Sequence, residues 1–120
     1  MSIYDTAHEL ARQLSSAHEY EKFIQEKKKL KADRANSEML DGFRRRQLEI
    51  QMAEMAGQEV DEEDQEQLEQ IYNLISTNPV ITEYLNAEYR FSRLISDIQK
   101  IITDAVPEWF DFDENKEIIN

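Results

Sequence analysis

An apolar stripe through residues 80–105 constrains the fold more than any other feature of the sequence. Seven positions from Tyr84 to Ala105 recur at alternating steps of four and three residues, and six of them are apolar. This spacing matches the period of an α-helix, so it predicts one helix from about Pro79 to about Ala105. At 1.5 Å per residue such a helix spans about 40 Å. We therefore expect an elongated molecule.

The stripe is too wide for a single neighbouring helix to cover. We expect the helix of residues 37–56 to return against it as an antiparallel hairpin, because short loops make sequential helices antiparallel neighbours. A second copy of the chain would cover the rest. The seam predicted for this dimer or partner contact comprises Ile81, Tyr84, Leu85, Glu88, Phe91, Leu94, Ile95, Ile98 and Ile102.

Glu88 is the polar member of this seam, and two interpretations stay open. It could select the partner or the register by pairing with an arginine of a facing chain, such as Arg90 or Arg93. Alternatively, it lies at the rim of the seam, because a straight helix drifts by about 20° per heptad.

Helix is predicted in most of the remaining chain as well, because the whole sequence has only two glycines and two prolines. Ser2 with Asp5 predicts a capping box that starts a first helix. Ser16 with Glu19 predicts a second capping box, followed by a helix from about Ala17 to about Ala32.

The apolar signal fades between Leu30 and Met39, where Asp33 or Asn36 could cap a third helix. One continuous helix over residues 17–56 is the alternative. Gly57 is expected to end this segment in the left-handed conformation.

Two further helix starts are marked by their caps. Asp61 is expected to cap a fourth helix, and Asn78-Pro79 to start the long one. The fold class is thus all-α, an elongated antiparallel helical hairpin or bundle of four to five helices. Residues 1–106 would form a single domain and residues 107–120 an acidic aromatic tail.

Composition excludes several function classes. The absence of cysteine removes disulfides, thiolate zinc sites and cysteine nucleophiles. Two glycines cannot supply a glycine-rich phosphate loop. No apolar run approaches the roughly 18 residues of a membrane span, and no signal-peptide pattern begins the chain. We expect a cytoplasmic protein that makes no membrane contact.

The net charge is −12, which disfavours general binding to nucleic acid because polyanions repel each other. The charge is uneven along the chain. Residues 1–56 carry ten basic and ten acidic residues, whereas residues 57–70 carry seven acidic residues and no basic one. A local contact with an anion therefore stays open in the first half only.

Two basic clusters could make that contact with phosphate or RNA: Lys27, Lys28, Lys29, Lys31, Arg44, Arg45 and Arg46. The favoured interpretation is a solvated helix face with intrahelical ion pairs. The expected pairs are Lys22–Glu26, Arg34–Glu38, Asp41–Arg45 and Arg45–Glu49.

No catalytic, cofactor or metal site is predicted, and we expect the protein not to be an enzyme. The acids around Asp61 lack the spacing of a calcium loop and are explained by helix capping. His8 and His18 lie on different predicted helices without metal-ligand spacing.

The tail contains three aromatic residues, Trp109, Phe110 and Phe112. They could form a short docking peptide for a partner protein. They could also fold back and cover the end of the bundle, which we favour because exposed aromatic residues reduce solubility.

The pattern resembles the YlbF/YmcA family of small bacterial helical proteins, and within it the uncharacterised YheA-like branch. The resemblance covers roughly residues 3–106 and rests on these motifs: Glu19-Tyr20-x-x-Phe23, Met39-Leu40-x-x-Phe43-Arg44, Gln47-x-Glu49-x-Gln51, Leu68-x-x-Ile71-Tyr72, Asn78-Pro79-Val80-Ile81-x-x-Tyr84-Leu85-x-Ala87-Glu88 and Arg90-Phe91-x-x-Leu94-Ile95-x-x-Ile98. The segment from Asn78 to Phe91 is the most specific.

The resemblance implies a cytoplasmic, all-helical, dimer-forming protein of Gram-positive bacteria. It implies a role without catalysis, in assemblies with other cytosolic proteins that influence competence, sporulation, biofilm formation and RNA processing. The alternative is an RNA-processing accessory protein that contacts nucleic acid through the two basic clusters. Iron–sulfur ligation through cysteines, reported for some relatives, is not available in this chain.

Overall fold

A computed structural model describes residues 2–111, which form helices and connecting turns and no strand. The helices are α1 (Ile3–Ser15), α2 (His18–Ala32), α3 (Arg34–Met55), α4 (Glu62–Ser76), α5 (Pro79–Ala105) and the short α6 (Pro107–Phe110). The all-α prediction is confirmed.

Most predicted helix ends are confirmed at their caps. Ser2 and Asp5 form the capping box of α1, and Asp61 and Asn78 accept hydrogen bonds from the first turns of α4 and α5. Gly57 follows α3 with a φ of +76°. Side chains that satisfy the free N–H groups of the first turn fix where a helix begins.

Residues 17–56 form two helices rather than one. The break is at Asp33, whose extended backbone separates α2 from α3 and whose carboxylate accepts a hydrogen bond from the Asn36 N–H. The sequence had left Asp33 and Asn36 as alternative caps, and Asp33 is the cap.

The capping box predicted at Ser16 and Glu19 is wrong. Ser16 is the C-cap of α1, and its hydroxyl donates to the Arg12 carbonyl at 3.2 Å. The Ser16 hydroxyl is therefore bonded to the end of α1 and does not cap α2. Ala17 occupies the N-cap of α2 and offers no side-chain hydrogen bond.

The long helix α5 packs mainly along α2 and runs antiparallel to it. The rings of Tyr20 and Phe91 lie 5.1 Å apart, and those of Phe23 and Tyr84 lie 5.7 Å apart. Aromatic pairs at these distances contribute beyond the area that they bury, by about 0.5–1.5 kcal/mol each.

The expected hairpin between residues 37–56 and α5 is therefore not the main packing, and that prediction is wrong. The helix α3 packs mainly against α4 instead, and it meets α5 over a smaller area. The physical reason is that the apolar face of α3 packs against α4, where the tilted rings of Phe43 and Tyr72 lie 6.1 Å apart. The aromatic residues of α2 then cover α5.

A small core lies where α2, α3, α4 and α5 meet. Its buried residues are Leu30, Leu40, Ile75, Ile81 and Tyr84. At the same junction the Asn78 side chain, which caps α5, donates to the Asn36 side chain at 2.7 Å. The start of α5 is thereby tied to the start of α3.

The molecule is flat and extended, as the length of α5 predicts. Its radius of gyration is 19.7 Å, and its principal extents are 53 × 46 × 16 Å. A compact domain of the same length has a radius of gyration of about 14 Å. The chain thus leaves much of its apolar surface outside the core.

The core predicts a clear stability difference between two aliphatic residues. Ile81 has no exposed surface, whereas the side chain of Leu74 on α4 is 58% exposed. Ile81→Ala should lower the free energy of unfolding by about 2–5 kcal/mol because it opens a cavity. Leu74→Ala should change it by about 0.5 kcal/mol. Denaturant titration measures both, and equal losses would contradict this location of the core.

Candidate interaction surfaces

Most residues of the predicted seam are covered at least in part within the chain, and one of them, Ile102, is exposed. Ile81 and Tyr84 lie in the core, and Leu85 packs against it. Glu88, Phe91, Leu94, Ile95 and Ile98 are half-buried. Beyond them Ile102, the last residue of the predicted seam, is 52% exposed, and its neighbour Ile101 is 69% exposed. The first half of α5 is therefore covered within the chain, whereas isoleucine residues of its last turns are exposed.

The helix α1 carries a second uncovered apolar face. Ile3 is 80% and Tyr4 74% exposed, and α1 has no buried residue. Among the helices described, α1 contacts α2 alone. An amphipathic helix normally buries its stripe, so an uncovered one indicates a binding surface.

In the structure Glu88 pairs within its own chain, and its side chain is 35% exposed. It accepts a hydrogen bond from Arg44 of α3 at 2.5 Å and one from the Tyr84 hydroxyl at 3.0 Å. The bond to Glu88 raises the pKa of Arg44. Burial, followed by the neighbouring Glu88 carboxylate, raises the pKa of Tyr84. The network fastens α3 to α5.

The three arginines of the second basic cluster do not form one patch. Arg44 is engaged by Glu88, and Arg46 donates to the Gln67 side chain. Arg45 and Arg46 line an open cleft of about 450 Å³ together with three carboxylates, from Glu38, Glu49 and Asp64. Acidic neighbours lower the attraction of this cleft for a phosphate.

Of the four predicted ion pairs, Lys22–Glu26 and Arg34–Glu38 are present. The two pairs predicted for Arg45 are not found among residues 2–111. In the first basic cluster Lys27, Lys28 and Lys31 are exposed, and Lys29 turns toward Glu26.

Glu26 is a buried charge that the sequence prediction placed on a solvated face. Its side chain is 4% exposed, with Lys22 Nζ 3.4 Å from Oε1 and Lys29 Nζ 3.2 Å from Oε2. The Lys29 contact is an ion pair that is not aligned as a hydrogen bond. Burial acts to raise the pKa of Glu26. The ammonium groups of Lys22 and Lys29 together lower it by a larger amount, so the net shift of the pKa is downward.

Flanking lysines are the signal that could have revealed this site. They stand four residues before and three residues after Glu26, on the same helix side as the carboxylate. A buried carboxylate needs such compensation.

Within residues 2–111 no group of three or more metal-binding side chains comes together. His8 and His18 are both exposed, on α1 and at the start of α2. In the same part of the chain, no helix combines the length and the apolar character needed to cross a bilayer.

Trp109 and Phe110, the tail aromatic residues that the structure describes, do not cover the end of the bundle. Trp109 is 75% and Phe110 50% exposed, and among the described helices α6 touches α5 alone. The favoured fold-back is therefore not found for these two residues. Phe112 lies outside the described residues.

Comparison with known proteins assigns the chain to a family. The family model described as "Control of competence regulator ComK, YlbF/YmcA" matches residues 3–107. The chain belongs to the YlbF/YmcA family. This confirms the family resemblance seen in the motifs. The family's description is regulatory and names no enzyme class.

Curated relatives in this family are UPF0342 proteins. One from Desulfitobacterium hafniense is 44% identical over 106 residues, covering 88% of this chain and 86% of the relative. One from Halothermothrix orenii is 41% identical, covering 85% and 86%. One from Clostridium tetani is 33% identical, covering 97% of this chain and all of the relative.

A solved structure shares the fold of this chain. It is a protein of unknown function (DUF964) from Bacillus stearothermophilus, with a TM-score of 0.72 and 18% sequence identity. The match covers 88% of this chain and 93% of the other. At this identity the likeness concerns the fold alone.

The Glu26 site predicts a pH dependence. Because its pKa is lowered on folding, its stabilising contribution is present above the ordinary glutamate pKa. That contribution is lost as the pH falls through the lower, folded-state value. Wild type should therefore lose more stability than Glu26→Gln between about pH 6 and about pH 3, measured by denaturant unfolding.

Glu38→Gln is the matched control, since the pair of Glu38 with Arg34 is largely exposed and contributes little. It should follow the wild-type pH profile. If Glu26→Gln also follows that profile, the buried ion pair does not stabilise the fold.

Proposed function

We propose that this chain is a non-enzymatic regulatory protein that acts by binding other proteins and that its working form is a homodimer. The observation that carries the proposal is the pair of uncovered apolar faces, on α1 and on the last turns of α5. A protein that exposes such faces is stabilised when another surface covers them.

The dimer seam that we propose is narrower than the sequence prediction. It is centred on Ile98, Ile101 and Ile102 of α5, with the stripe of α1 beside it. Ile81 and Tyr84 are not part of this narrower seam because they are buried within the chain. A stable interface buries about 800 Å² on each partner, and two helical faces from each chain can supply such an area.

The regulatory part of the proposal follows the family description, control of the competence regulator ComK. Influence on competence, sporulation, biofilm formation or RNA processing would then arise through assembly with cytosolic partner proteins. An RNA-processing accessory role is the alternative.

The dimer predicts a solution mass of twice the 14.2 kDa chain at micromolar concentration, measured by light scattering. Ile101→Asp with Ile102→Asp should return the mass to that of one chain, because two charges would be buried at the seam. Leu74→Asp, an equally exposed apolar position on α4, should remain dimeric.

Two results would contradict the dimer. One is a wild-type mass near 14.2 kDa at micromolar concentration. The other is an unchanged mass in the double variant. Circular dichroism melting of each variant excludes unfolding as the cause of a lower mass.

Partner binding predicts that the tagged chain, purified from its native host at physiological salt, retains specific proteins identified by mass spectrometry. These proteins should remain after nuclease treatment if the contact is direct. Loss of every partner on nuclease treatment would support the RNA alternative instead. Arg44→Gln, Arg45→Gln and Arg46→Gln together should then abolish RNA binding. Recovery of the chain by itself would contradict the proposal.

A further inference from the structure

The distal half of the α3–α4 hairpin combines an apolar surface with one sign of charge. We call residues 47–70 the tip. The tip contains nine acidic residues and no Lys, Arg or His. Helix capping explains part of this charge, since Asp61 caps α4 and three further acids fill its first turn. It does not explain Glu49 and Glu54 on α3 or Glu66 and Glu69 later in α4.

An apolar groove runs between the two helices of this hairpin. Its volume is about 400 Å³, and its apolar lining comes from Phe43, Ile50, Leu68 and Tyr72. Glu69 stands in the lining as well, so a carboxylate lies beside the apolar floor.

A second apolar strip lies on α3 itself. Leu48, Met52 and Met55 follow each other at steps of four and three residues, which places them on one helix face. All three are exposed, Met55 by 85%. Methionine side chains are flexible and polarisable, and they fit irregular apolar partners.

The charge decides which occupant the groove can take. The tip of a second copy would bring nine further acidic residues against the first nine, and like charges at close range repel. A nucleic acid would be repelled for the same reason. An apolar segment flanked by lysine or arginine gains both burial and attraction.

We propose that the groove between α3 and α4 binds a cationic amphipathic helix of a partner protein. The apolar face of that helix lies on Ile50, Leu68 and Tyr72, and its basic residues pair with Glu66 and Glu69. Helix-in-groove binding of this kind is a common mode of recognition. On α4 the lining of the groove runs from Gln65 to Tyr72, a length of about 12 Å, which matches about two turns of a bound helix. This inference rests on the proposed protein-binding function and assigns the partner class.

The test uses a labelled synthetic peptide of about 18 residues, with leucine on one helical face and lysine on the other. Fluorescence anisotropy at about 0.15 M salt measures its binding to the full chain. Glu66→Lys with Glu69→Lys should weaken binding by about tenfold or more. Glu83→Lys with Glu108→Lys is the matched control, since both residues are exposed outside the tip, and it should bind within about twofold of wild type.

A peptide with serine in place of leucine keeps the charge and loses the apolar face. It should bind at least about tenfold more weakly than the leucine peptide. Three results would overturn the proposal: equal binding of the two peptides, an unchanged affinity in the Glu66 and Glu69 variant, or an equal loss in the control variant. If the peptide fails while the chain still captures host proteins, the groove assignment falls and the proposed function stands.

Discussion

The aromatic contacts between α2 and α5 determine where the other helices can lie. Tyr20 and Phe23 cover the first half of α5, with ring centroids 5.1 to 6.0 Å from Tyr84 and Phe91. The contact between the two helices ends near the start of α2, so the last turns of α5 extend beyond α2. Because α4 takes the apolar face of α3, these two helices form a separate hairpin. The Arg44–Glu88 and Asn36–Asn78 contacts then hold that hairpin to α5.

This arrangement gives the molecule three surfaces, which we assign to two kinds of partner. The end of α5 and the stripe of α1 are apolar, and we assign them to a second copy. The tip of α3 and α4 is apolar but strongly acidic, and we assign it to a basic helix. Charge distinguishes the two kinds of contact. Two acidic tips repel one another, whereas at the end of α5 the charges of Lys100 and Asp104 compensate each other in an ion pair.

The positions of most helices along the chain were predictable because they depend on local signals. The caps at Ser2, Asp61 and Asn78 and the left-handed Gly57 satisfy their own helix ends without help from distant residues. The partner of α5 was not predictable in this way. Both α2 and α3 carry apolar faces, and the choice between them depends on which face α4 occupies.

The same limit applies to the candidate surfaces. The spacing of α5 identified an apolar seam but could not show that the chain itself covers most of it and leaves only the last turns exposed. Glu88 was recognised as unusual, yet its partner Arg44 lies 44 residues away in sequence. The burial of Glu26 depends on tertiary packing, so the sequence revealed its lysine pairs and not its environment.

The central claim is that α1 and the last turns of α5 are covered by a second chain. Hydrogen–deuterium exchange, followed by mass spectrometry at protein concentrations below and above the dissociation constant of the dimer, tests it most directly. The account predicts that amides of α1 and of residues 98–105 become more protected as the concentration rises, while protection of residues 81–91 changes little. Protection of α1 and residues 98–105 that does not depend on concentration would contradict it.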